Sequence, residues 1–121
     1  MKNLLTDEQK TAFDEAMKYY QAALNLHDWR LHRGSKPAPN GTSAIVEMHD
    51  SARMAIYRIG DFGAMPINEK SIHYFAAHES CHLLLRPLIV ITQDRSATAE
   101  QIEAAEHAII HVIVNILTGG L

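Results

Sequence analysis

Apolar and polar positions change period several times along the chain, and each change marks an element. Phe13, Met17, Tyr20 and Leu24 recur at helical spacing behind Thr6 and Gln9, which stand at the separation of a capping box. A first helix is therefore expected from about Asp7 to Asn25. Asp28 to Arg33 reads as a short strand, closed by a turn-rich loop from Gly34 to Gly41 that is too short to link two domains. Two β-leaning runs, Ala44 to Met48 and Met54 to Ile59, flank a polar stretch and predict a hairpin.

Gly60-Asp61-Phe62-Gly63 breaks the strand pattern. A second helix is expected to begin at Pro66 or Asn68, to carry Ile72, Phe75, Ala76, Glu79 and Leu83 on adjoining faces, and to stop at Pro87. Leu88-Ile89-Val90-Ile91 then reads as a buried connector. Thr98 and Gln101 repeat the capping-box spacing ahead of a third helix bearing Ile102, Ile109, Ile113 and Ile116. The order predicts one α+β domain over residues 1–121, with a small three-stranded antiparallel sheet. The third helix is apolar on more than one side, so either the domain wraps it or it forms a homodimer interface.

Composition narrows the functional classes. The chain of 121 residues is 47% hydrophobic and 21% charged, ordinary values for one globular domain. Its formal charge is −3 and its 11 basic residues are scattered, which argues against nucleic acid or an anionic membrane as partner. Cys81 is the single cysteine, so no internal disulfide framework exists. The first residues lack the apolar run of a signal peptide, and the apolar run from Ala108 to Leu117 is too short to span a bilayer. A cytoplasmic location is expected.

The chemistry is concentrated in His78-Glu79-Ser80-Cys81-His82. Helical positions four apart share a face, so His78 and His82 direct two imidazoles at one point, half of a tetrahedral zinc site. Glu79 sits beside the pair, where a carboxylate reaches a coordinated water without binding the metal, as the H-E-x-x-H pattern requires. For the third ligand the apolar stripe Ile102, Glu106, Ile109, Ile113 singles out Glu106, because a cation would offset the cost of a buried carboxylate. Glu103 and His107 are the substitutes if the helix is rotated. Two histidines and a carboxylate leave a fourth position for water with a pKa near 7 in catalytic sites of this kind. Tyr57, Tyr74, His107 and His111 are candidate donors to a developing oxyanion.

The motif with Leu83-Leu84-Leu85, preceded by the strand Arg53 to Ile59 and followed by Glu103 to Ile110, resembles the small zincin-like metallopeptidases of phages and bacteria. In outline it is similar to the catalytic part of the ImmA/IrrE group. The resemblance implies a minimal zincin-like fold, Zn2+ held by His78, His82 and Glu106, Glu79 as general base, and a peptide or protein substrate. Cys81 stands where such proteins often carry glycine.

Blander readings apply elsewhere. Cys81 is expected as a small packed thiol, His107 and His111 as surface or pocket-lining residues, and Trp29 as core. Serine-hydrolase turns, the zinc-deaminase pattern and glycine-rich phosphate loops are missing from the sequence. The competing function is a non-catalytic interaction or inhibitor protein on a zincin-like scaffold. Retention of Glu79 favours catalysis, since a purely structural zinc site has no use for it.

Overall fold

Three capping boxes set the starts of three helices in the computed structural model, which describes residues 2–119. Helix α1 (Asp7–Ala23) begins at Thr6, whose side chain accepts from the Gln9 amide while the Gln9 side chain returns to the Thr6 amide. Asn68 and Ser71 do the same for α2 (Glu69–Thr92), and Thr98 and Gln101 for α3 (Ala99–Leu117). Helix α1 ends two residues before the expected boundary, where Asn25 adopts a left-handed conformation at φ 55°.

Strands β1 (Arg30–Arg33), β2 (Ala44–His49) and β3 (Met54–Ile59) form one sheet in the order β1-β3-β2. The hairpin of β2 and β3 is antiparallel, as its polar turn predicts, with Val46 opposite Tyr57. β1 runs parallel to β3, Leu31 opposite Ala55, so the sheet is mixed and the expectation of an all-antiparallel sheet is corrected. The cause lies in the loop after β1. Gly34 and Ala38 donate their amides to the Tyr57 and Ile59 carbonyls, carrying the chain along β3 and over to the far edge before β2 begins.

The core lies between this sheet and the helices. Phe13, Ala16 and Met17 of α1 meet Tyr57 and Ile59 of β3 and Ile72 and Ala76 of α2. A second cluster gathers Leu24, Leu26, Trp29, Ala55 and Leu83, with Val46, Met48 and Val112 packed against it. Trp29 is core as expected, 2% exposed, with the Arg53 guanidinium 4.1 Å above its ring.

Two further expectations are corrected. Pro87 does not end α2, which continues through Leu88-Ile89-Val90-Ile91 to Thr92, so that run is helical and Ile89 and Val90 are exposed. Pro87 withdraws one amide from the helix, but it shares a crevice with Leu83, Leu84, Ala105, Ile109 and Val112, so α3 lies against this part of α2. On α3, Ile109 is buried and Ala105 and Val112 are half-buried, whereas Glu106 and Ile113 are exposed. The stripe facing the domain is thus Ala105, Ile109, Val112 instead of Glu106, Ile109, Ile113. Among the described residues, no helix is long and apolar enough to cross a membrane.

Candidate metal centre

The phase of α2 decides where its motif points. Ile72, Ala76, Ser80 and Leu83 are buried, and Ser80 returns its hydroxyl to the Ala76 carbonyl at 2.8 Å, so the motif begins on the half of the helix turned from the core. His78 and His82 are exposed, one turn apart, with ring centroids 5.0 Å from each other. Glu79 lies on the buried side at 4% exposure. Donor atoms of His78, Glu79 and His82 all fall within 4.8 Å of one another, the single such group of metal-ligating side chains among the described residues.

The electrostatics of Glu79 suit an acid–base group. Burial raises its pKa above the usual carboxylate value, with His78 opposing that shift from Nε2, 4.0 Å from Glu79 Oε2. Among the described residues no hydrogen bond engages this carboxylate, so it is free to exchange a proton with whatever occupies the space by the two imidazoles.

Glu106 is not part of this group. It is exposed on α3, as are Glu103 and His107, and His107 Nδ1 lies 2.9 Å from the Glu103 carbonyl oxygen of its own helix. The reason for ranking Glu106 first, burial within an apolar stripe, does not hold, because α3 turns Ala105 and Val112 inward instead. Cys81 is exposed instead of packed and stays outside the donor group.

The four candidate oxyanion donors are separated by their surroundings. The Tyr57 hydroxyl donates to Asp14 Oδ1 at 2.6 Å in a part-buried contact, and burial with that bond pushes its pKa far up. His107 and His111 are exposed on α3. Tyr74 lies one turn before His78 and lines a shallow cleft with His78, Ala77, Cys81, Tyr20 and His73. The Tyr20 hydroxyl and His73 Nδ1 are 3.0 Å apart beside this cleft. Sequence spacing does not reveal that pair, since it joins two helices.

The surroundings also supply an edge. β2 is an outer strand of the sheet, α2 packs on it, and Arg86 of α2 holds Asp50 at the end of β2 through bonds of 3.0 and 2.8 Å. The motif helix and an outer strand are thereby held side by side. Comparison of the chain with protein-family models, with curated proteins and with solved structures finds no match.

Proposed function

We propose that the chain is a zinc-dependent metallopeptidase of the H-E-x-x-H type, with a zincin-like arrangement of the motif helix beside an outer strand. The observation that carries this reading is the convergence of the His78, Glu79 and His82 donor atoms within 4.8 Å. The residues fit the metal: two imidazoles one helical turn apart are borderline-soft donors suited to Zn2+, and the neighbouring carboxylate offsets part of its charge. His78 and His82 would hold the ion. Bound zinc supplies Lewis acidity toward a peptide carbonyl and lowers the pKa of water.

The remaining chemistry belongs to the chain. Glu79 takes a proton from the water that attacks the peptide carbonyl and returns it to the departing amine, the water's oxygen remaining on the new carboxyl group. Burial raises its pKa above that of a free carboxylate. The outer edge of β2 would offer main-chain donors and acceptors to an extended peptide, as sheet augmentation requires. Tyr74 lines the cleft with His78 and would meet substrate there.

The test is metal content. Protein purified without chelator is expected to carry close to one zinc per chain, and His78→Ala/His82→Ala none. Equal metal content in both proteins, or none in either, overturns the reading.

A further inference from the structure

We infer that the outer edge of β1 is a docking site for an extended acidic segment of another protein, which lies in the groove between β1 and α1 as a fourth strand. The site is independent of the metal motif, which is carried by α2 beside β2 at the opposite edge of the sheet.

Main-chain groups at this edge stand open. β1 is an outer strand, and its parallel pairing engages alternate residues: Arg30 and Gly34 donate their amides to the Arg53 and Tyr57 carbonyls. By that alternation Leu31 and Arg33 direct their amides and carbonyls outward, away from β3. Among the described residues neither amide has a backbone partner outside the sheet. A cleft of about 480 Å³ lies beside the edge, walled by Asp14 and Lys18 of α1 and by Leu31, Arg33 and Ser35. An added strand therefore has room for its side chains on the side facing α1.

The side chains flanking the edge select the occupant. Leu31 and Arg33 face the helices: Leu31 packs against both apolar clusters, and Arg33 Nε lies 3.1 Å from Asp14 Oδ1. Asp14 also accepts the Tyr57 hydroxyl, so the guanidinium is held by a carboxylate that β3 itself positions. Arg30 and His32 point to the other face of the sheet and are exposed. Lys18, one turn after Asp14, and Arg30 form no ion pair among the described residues. Lys18, Arg30 and Arg33 thus stand against Asp14 alone, an excess of positive charge on both sides of the edge in a chain whose formal charge is −3. Carboxylates on either face of an added strand meet a cation. A second copy pairing edge to edge through β1 would instead set arginine beside arginine, which disfavours self-association there.

Two fluorescein-labelled octapeptides test this, one alternating glutamate with threonine and the other alternating lysine with threonine. The glutamate peptide should bind saturably and slow hydrogen exchange at the Leu31 and Arg33 amides, and the lysine peptide should not bind. Lys18→Glu and Arg30→Glu, both at exposed positions, should each weaken binding by roughly tenfold with melting temperatures near wild type. Arg95→Glu makes the same charge change in the exposed connection between α2 and α3 and should leave the affinity within about twofold, since screening removes distant charges. Failure of the glutamate peptide to bind, equal binding of both peptides, or protection at β2 instead of β1 would each overturn the site. Equal weakening by all three substitutions, or by none, would overturn it as well. So would equal binding of a single-stranded oligothymidylate, which adds no strand and would mark a general polyanion surface.

Discussion

Replacing Leu83 with alanine tests the rotational phase of α2, on which the direction of every motif side chain depends. Leu83 is 1% exposed and sits in the cluster of Leu24, Leu26, Trp29 and Ala55. Removing a buried leucine side chain costs about 3–4 kcal/mol, combining lost transfer energy with the cavity left behind. Unfolding entropy near 2.1 cal/mol/K per residue gives about 0.25 kcal/mol/K for 121 residues, so Tm should fall by about 14 °C. Trp29 is the only tryptophan and belongs to the same cluster, so its emission should shift to the red in the folded variant. Tyr74→Ala, on the exposed face of α2, should cost less than about 1 kcal/mol. Urea and thermal melts of metal-free protein measure both. A loss below about 1 kcal/mol at Leu83, or a larger loss at Tyr74, would mean that α2 is rotated and that Glu79 is not the inward member of the motif.

Two further outcomes follow from the polar contacts around the sheet. Tyr57→Phe removes the 2.6 Å hydrogen bond to Asp14 and should cost about 1.5–3 kcal/mol in urea melts, the range for bonds to charged groups; an unchanged midpoint would contradict that contact. The Arg86 guanidinium holds the Asp50 carboxyl below the usual aspartate value. A depressed acid stabilises the fold above its unfolded pKa and loses that effect as pH falls through the folded value. The melting difference between wild type and Asp50→Asn should therefore shrink below about pH 4, and a difference that stays constant down to pH 2 would contradict the pairing.

The helix starts were legible because a capping box is local: Thr6 with Gln9 and Thr98 with Gln101 announce themselves at fixed spacing. The hairpin was legible for the same reason. The parallel pairing of β1 was not, because it is set by amides at Gly34 and Ala38 that reach β3 across more than twenty positions of chain. Pro87 looked like a terminus because the proline rule is local, while the packing around it comes from α3. On α3, apolar residues surround the axis, so periodicity could not choose between a stripe through Ile113 and one through Val112. Glu106 was consequently assigned inward and is exposed. The pairing of His78 with His82 needed only the four-residue helical repeat, and that part of the site was readable from sequence.

The central claim is that His78 and His82 hold zinc while Glu79 moves the proton, and Glu79→Gln separates these duties because it keeps side-chain size and both histidines. Wild type and variant, each loaded to one zinc per chain, should be incubated with a mixed peptide library and the products read by mass spectrometry. Wild type is expected to cleave peptides, and Glu79→Gln to cleave the same bonds more slowly by about two to four orders of magnitude, the usual contribution of a positioned general base. Equal cleavage by both zinc-loaded proteins, or none by the wild type, would contradict the account.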